Sequence, residues 1–154
     1  MTYKEYTNKR QEEFNALPIF WAFSNEQLEK ALAERGVSMD EAKDKVYRYG
    51  MGGFYLKSDS EIIRAYHSVD RNAELRTLMN GNLDFAYEAF EYEMYNHEYP
   101  INWEGDYDVC GCFGNCEFAE EKTAIDYLTE MGYSDDVIAQ YRKAAKEVSA
   151  NGNW

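Results

Sequence analysis

A stretch of 45 residues, Thr77 to Glu121, contains no lysine or arginine but carries eleven carboxylates. These carboxylates account for eleven of the thirteen net negative charges, because the rest of the chain has 18 acidic and 16 basic residues. Charge concentrated in this way creates a directional electrostatic field, which favours a cationic partner. We therefore expect the middle third of the chain to present its carboxylates together on one exposed side.

Within this stretch, residues 83–97 have the spacing of an amphipathic helix. Phe90, Met94 and His97 fall on one face at about 100° per residue, and we predict that this face is buried. A second stripe, with spacings of four, three, four and three residues, consists of Asp84, Glu88, Glu91, Tyr95 and Glu98. Carboxylates at these spacings repel one another by a few tenths of a kcal/mol per pair, and no lysine relieves them. Stability alone therefore does not explain the stripe.

Two interpretations of the stripe stay open: a solvated helix face, or a mimic of the phosphates of a nucleic-acid strand. The four carboxylates span about 21 Å of helix axis, or one charge per about 7 Å, which is half the density of a DNA strand. The remaining charges and aromatic contacts of a mimic would come from Glu93, Glu104, Asp106, Asp108, Tyr95, Tyr99 and Trp103. The partner in that case is a basic protein surface.

The three cysteines, Cys110, Cys112 and Cys116, form a Cys-x-Cys-x₃-Cys cluster, and His97 lies thirteen residues before the first of them. Three thiolates and one imidazole are a ligand set of tetrahedral zinc sites. The spacing differs from the Cys-x₂-Cys pairs typical of such sites, and a buried, hydrogen-bonded histidine is the alternative role for His97. Two expectations stay open: no cofactor, or one zinc ion held by these four side chains.

The other motifs do not indicate an enzyme. The sequence His97-Glu98-Tyr99-Pro100 lacks the second histidine of a zincin helix, and no phosphate-binding loop or nucleophile elbow is present. The glycines at 50, 52 and 53 precede a predicted strand, so they present no helix N-terminus to a phosphate. We therefore expect a non-enzymatic protein.

The local patterns predict a single compact domain over residues 1–154, of the α+β class and mostly helical. A short strand at 19–23 and a hairpin around 50–53 are predicted to form a small antiparallel sheet. Five to six helices are expected, with ranges of about 3–16, 25–35, 58–79, 83–97, 117–131 and 135–149. A short helical turn is expected after Ser38, and residues 101–115 are predicted to be irregular.

Composition and charge limit the location and the partners. The polar start offers no signal peptide, the longest apolar run is too short to span a bilayer, and the three cysteines favour a reducing compartment. We therefore expect a cytoplasmic protein. A net charge of −13 disfavours direct binding to nucleic acid or to an anionic membrane.

Four segments of the chain carry a resemblance: residues 17–27, 50–54, 57–60 and 96–99. Over residues 10–100 the chain is similar to a family of small uncharacterised proteins from gut-dwelling Firmicutes and their phages and mobile elements. The resemblance brings no activity with it. It implies a mobile-element genome, in which small acidic proteins that block host defence nucleases are common.

Three functional hypotheses follow. In the first, the protein is an acidic, non-enzymatic inhibitor that occupies the basic nucleic-acid-binding groove of a host defence nuclease, of the anti-CRISPR or anti-restriction type. In the second, it is a small zinc-binding accessory protein. In the third, it is a housekeeping adaptor of a mobile element. The first is the leading hypothesis because of the cation-free stretch.

Overall fold

A computed structural model describes all 154 residues, and its contacts divide the chain into two compact units. The helical unit consists of residues 1–9 and 70–154, and the sheet unit consists of residues 10–69. Helix α1, Tyr3–Asn15, contributes residues to both units. The single compact domain expected over residues 1–154 stays a prediction.

The predicted class is confirmed, since the fold is α+β and mostly helical with one small antiparallel sheet. The chain forms nine α-helices rather than five or six. After α1 the elements are β1 Phe20–Trp21, α2 Asn25–Glu34, α3 Met39–Lys45, β2 Val46–Tyr49, β3 Gly53–Leu56, α4 Ser60–His67, α5 Arg71–Gly81, α6 Leu83–Asn96, α7 Gly105–Gly111, α8 Ala124–Glu130 and α9 Asp135–Asn151. A 3₁₀ turn, Lys57–Asp59, precedes α4.

The sheet unit is built around three antiparallel strands in the order β1-β3-β2. Phe20 pairs with Phe54 across β1 and β3, while Val46 pairs with Leu56 across β2 and β3. Strand β1 is shorter than predicted, and the Phe23 amide donates to the Gln27 side chain of α2 at 2.8 Å rather than to a strand. The buried cluster of this unit is small and consists of Phe20, Leu32 and Val37.

The long helix predicted over residues 58–79 is wrong, because the chain forms two helices there. Helix α4 ends at His67, and Asp70 then caps α5 by accepting a hydrogen bond from the Ala73 amide at 3.0 Å. An aspartate at this position satisfies a free amide of a new helix start. The apolar periodicity continues across this break, so the pattern alone does not reveal it.

The prediction that residues 101–115 are irregular is also wrong, because α7 occupies Gly105–Gly111. The Asn102 side chain accepts a hydrogen bond from the Glu104 amide at 3.0 Å, and two carboxylates lie in the first turn, where the helix dipole favours them. Helix α8 starts at residue 124 instead of 117. Its start is set by a capping box between Thr123 and Asp126.

The core of the helical unit contains 22 buried residues, in contrast with the three of the sheet unit. Helices α6 and α9 pack along each other and supply its centre. Phe90 on α6 is fully buried and makes edge-to-face contacts with Phe113 and Tyr141, with 5.0 Å between ring centroids in each pair. The predicted buried face of α6 is therefore correct for Phe90 and Met94.

Candidate functional site

Helix α6 positions most of the candidate site residues, and both of its ends are capped. Asn82 accepts a hydrogen bond from the Phe85 amide at 3.1 Å at the N-terminus. At the C-terminus the Tyr99 amide donates to the Met94 carbonyl and the Glu98 amide donates to the Tyr95 carbonyl, which is a Schellman motif. Glu98 occupies the left-handed position of this motif with φ of 51°, a conformation that usually selects glycine. The turn redirects the chain directly after His97.

The inner side of this helix end carries a cluster of three potential metal ligands: Glu93, His97 and Cys112. The Cys112 Sγ atom lies 3.4 Å from His97 Nε2 and 3.5 Å from Glu93 Oε2. The third edge, between His97 Nε2 and Glu93 Oε2, measures 3.6 Å. We refer to these three residues as the Glu–His–Cys cluster.

Glu93 is the buried member of the cluster, with 8% of its surface exposed, and it is the one buried charged residue of the chain. The Tyr3 hydroxyl donates a hydrogen bond to Glu93 Oε1 at 2.8 Å. Burial and the neighbouring Glu93 carboxylate raise the pKa of Cys112 to about 12, because a thiolate there would lie beside another anion. Without a cation, Cys112 is therefore a neutral thiol at neutral pH.

The predicted Cys₃His ligand set is not assembled as one group. His97 and Cys112 come together, but the third potential ligand beside them is Glu93 rather than Cys110 or Cys116. Cys110 is fully buried in the core, and burial raises its pKa above the ordinary value for a thiol. The physical reason is that Cys110 and Cys112 lie at the end of α7 and project in different directions.

The pairing of Glu93 with His97 was not predicted from the sequence. The signal was available, since a Glu-x₃-His spacing places both side chains on the same face of a helix. The stripe of α6 that we predicted as apolar therefore includes a carboxylate. Glu93 cannot contribute to an exposed phosphate-like pattern, because its side chain is inside the helical unit.

The outer side of α6 forms an open groove of about 500 Å³, which we call the acidic groove. Its lining includes Tyr3, Lys4, Glu88, Glu91, Tyr92 and Tyr95. Glu91 accepts a hydrogen bond at 2.9 Å from the Tyr87 hydroxyl, which also contacts Glu147. The hydroxyl group of Tyr87 thus lies between the carboxylates of Glu91 and Glu147. Lys4 is the one cationic residue in the lining of the groove.

The remaining predicted partner-binding residues differ in their surroundings. Asp84 and Glu98 are exposed and lie outside the acidic groove. Asp106 Oδ1 accepts hydrogen bonds from the hydroxyls of Tyr99 at 2.9 Å and Tyr141 at 2.7 Å. Asp108 accepts one from the Asn102 side chain at 2.8 Å. Asp106 and Asp108 are therefore engaged within the protein, and a partner would reach them less easily than Asp84 or Glu98.

A second concavity, of about 550 Å³, is lined by aromatic and acidic side chains and is called the aromatic pocket. Tyr99, Trp103, Glu104, Asp106, Tyr107 and Phe118 contribute to it. Trp103 is 80% exposed, and its ring lies edge-to-face with Phe118 at 5.9 Å. The predicted partner-binding residues are thus not gathered on one surface: three line the acidic groove, four line the aromatic pocket, and Asp84, Glu98 and Asp108 line neither.

The predicted partner-binding carboxylates form no salt bridge within the chain. The salt bridges of the helical unit join Lys122 to Glu130 and His97 to Glu93. None of them involves Asp84, Glu88, Glu91, Glu98, Glu104, Asp106 or Asp108. The cationic residues that line the two concavities are Lys4 at the acidic groove and Lys122 at the aromatic pocket.

Comparisons with known proteins add a family and no activity. No helix of the chain has both the length and the apolar character needed to cross a membrane. Searches of curated proteins and of solved structures find no match. A family model matches residues 2–147, which is nearly the whole chain and extends past the region of the resemblance noted above. The chain therefore belongs to DUF7659, a family of unknown function.

Proposed function

We propose that this protein is an acidic, non-enzymatic inhibitor that is encoded by a phage or mobile element of gut Firmicutes. Its target is the basic nucleic-acid-binding groove of a host defence nuclease, of the CRISPR or restriction type. The observation that carries the proposal is the outer side of α6, where Glu88, Glu91 and Tyr95 line one open groove in which Lys4 is the one cationic residue. Such a surface combines negative charge with aromatic contact area, as a basic protein surface requires.

Charge distribution supports the proposal independently of the groove. The helical unit has 19 acidic and eight basic residues, a net charge of −11. A field of this size attracts a basic surface over roughly a Debye length, about 8 Å at physiological ionic strength. Association would therefore be fast at low salt and would slow as salt is added.

The proposed contact surface is narrower than the sequence suggested. Asp84, Glu88, Glu91 and Tyr95 remain on α6, and Glu98 follows directly after its end. Over the seven residues from Asp84 to Glu91 the helix rises about 10 Å, which corresponds to only a few phosphates of a nucleic-acid strand. The aromatic pocket, with the exposed Trp103 ring, would supply the additional contact area.

The test measures DNA cleavage by purified CRISPR and restriction nucleases of the host in the presence of increasing amounts of this protein. We expect inhibition that weakens steeply between about 50 and 200 mM salt. The double variant E88K/E91K should abolish inhibition, because it changes the charge of the groove by four units. A matched control, E29K/E34K, makes the same net change on exposed residues of α2 in the sheet unit and should retain inhibition.

Two outcomes contradict the proposal. Inhibition that persists in E88K/E91K would mean that the acidic groove is not the contact surface. The absence of inhibition of every nuclease would remove the inhibitor function, and the hypothesis of a mobile-element adaptor would then replace it. Circular dichroism of both double variants checks that each is folded.

A further inference from the structure

We propose that Glu93, His97 and Cys112 bind a divalent transition-metal ion, with zinc the best match to their chemistry. This inference is independent of the proposed inhibitor function, since it concerns the inner side of α6. The three side chains offer one carboxylate oxygen, one imidazole nitrogen and one sulfur atom. These are the three donor types that zinc takes in proteins.

The distances among the three ligand atoms match one face of a zinc tetrahedron. Bond lengths of about 2.3 Å to sulfur and 2.0–2.1 Å to nitrogen and oxygen imply edges of about 3.5 Å for the pairs with sulfur and about 3.3 Å for the nitrogen–oxygen pair. The observed edges are 3.4 Å and 3.5 Å for the pairs with sulfur and 3.6 Å for the nitrogen–oxygen pair. An ion therefore fits with side-chain shifts of a few tenths of an ångström.

Local structure holds this triangle in place. Glu93 and His97 are four residues apart at the end of α6, so both project from the same face of the helix. Cys112 is the C-cap residue of α7, and its Sγ atom also lies 3.4 Å from the Asp108 carbonyl oxygen. The Tyr3 hydroxyl donates to Glu93 Oε1 at 2.8 Å, while Oε2 faces the other two ligands and also accepts a hydrogen bond of 3.3 Å from Asn96 Nδ2. Such an outer partner is typical of metal-binding carboxylates.

The buried negative charge of Glu93 also favours a bound cation. A buried carboxylate is costly unless it is paired, and Glu93 has the His97 ring and two hydrogen-bond donors, Tyr3 and Asn96, beside it but no lysine or arginine. When a divalent ion binds, the thiol proton of Cys112 leaves to solvent, and the two resulting anionic ligands balance the charge of the ion. His97 is about one-third exposed, so a water molecule can reach the fourth ligand position.

The donor set distinguishes zinc from the common hard cations. Magnesium and calcium take oxygen ligands and six or more of them, so a site with one sulfur and one nitrogen excludes both. Three protein ligands with an accessible fourth position differ from a closed structural site with four protein ligands. The metal ion proposed here thus has a fourth coordination position at which a small molecule could also bind.

The test uses the full chain, freed of metal with a chelator, and titrates it with Zn²⁺ by calorimetry and with Co²⁺ by absorption spectroscopy. We expect one ion per chain. The Co²⁺ form should show a thiolate-to-cobalt charge-transfer band together with the intense visible bands of a tetrahedral site. Y3F keeps all three ligands but releases Glu93, and should weaken affinity by about tenfold.

Three further variants separate this site from the alternatives. C112S should remove the charge-transfer band and lower the Zn²⁺ affinity by at least 100-fold, and H97Q should lower the affinity similarly. C116S is the matched control, because Cys116 lies outside the cluster, and should bind like the unmodified protein. Circular dichroism shows whether each variant is folded. If C112S or H97Q fails to fold, the remaining one of the two tests the site.

Two results would overturn the inference. One is the absence of the Co²⁺ band and of stoichiometric Zn²⁺ binding in the unmodified chain. The other is a loss of binding in C116S as large as that in C112S, which would assign the ion to a site made of cysteines instead.

Discussion

The two units of the molecule differ in both their cores and their charge. The helical unit has 94 residues, a buried cluster of 22 residues and a net charge of −11. The sheet unit has 60 residues, a buried cluster of three and a net charge of −2, from ten acidic and eight basic residues. Apolar burial and unpaired negative charge are therefore concentrated in the same unit.

This difference explains how the acidic stripe on α6 is tolerated. Each repulsive pair along a helix costs a few tenths of a kcal/mol, whereas burying one large apolar side chain contributes about 1.5–3 kcal/mol. Helix α6 buries three large apolar side chains, Phe85, Phe90 and Met94, so its core contacts outweigh the repulsion on its outer side. The short helix α3 in the sheet unit buries none, and it depends on its capping box and on the Lys45–Glu41 salt bridge.

The largest expected effect is in the core of the helical unit. F90A should lower the free energy of unfolding by about 3–5 kcal/mol, because it leaves a cavity between the Phe113 and Tyr141 rings. Urea denaturation followed by circular dichroism measures this change. As a control, I101A removes a side chain that is 65% exposed and should change stability by less than about 0.5 kcal/mol. A loss below about 1 kcal/mol in F90A would show that the core of this unit is loosely packed.

A smaller effect is expected in the sheet unit. L32A should lower the free energy of unfolding by about 2–3 kcal/mol. This is the low end of the range for replacing a buried leucine with alanine, because the partly exposed neighbours of this small cluster can relax into the cavity. Hydrogen exchange at the β2–β3 amides should accelerate by about 30- to 150-fold. F23A, which removes a ring that is 76% exposed, serves as the control. If L32A costs as much as F90A, the contrast between the two cores is wrong.

The smallest effect concerns helix capping. S38A should destabilise α3 by about 1 kcal/mol and speed exchange of its amides roughly fivefold, because the Ser38 hydroxyl caps the Glu41 amide. N82A removes the corresponding cap of α6, and there the packed face should keep local exchange slow. Equal acceleration in both helices would contradict the view that only α3 relies on its caps.

Several elements could be predicted because their signals are local. The helix predicted at 25–35, the helical turn expected after Ser38 and the hairpin predicted around residues 50–53 all form. The division of residues 58–79 and the start of α8 at residue 124 were missed. In both cases a polar cap, at Asp70 or at Thr123, outweighed a periodic apolar pattern that continues past it.

The helical character of the chain, the concentration of carboxylates in its middle third and most of the buried face of α6 can be read from the sequence, because periodicity and charge are properties of neighbouring residues. The meetings between distant polar residues depend instead on tertiary packing. Tyr3 reaches Glu93 across 90 positions, and Cys112 reaches His97 across 15. Contacts of this kind depend on how helices pack, and no local pattern records that packing.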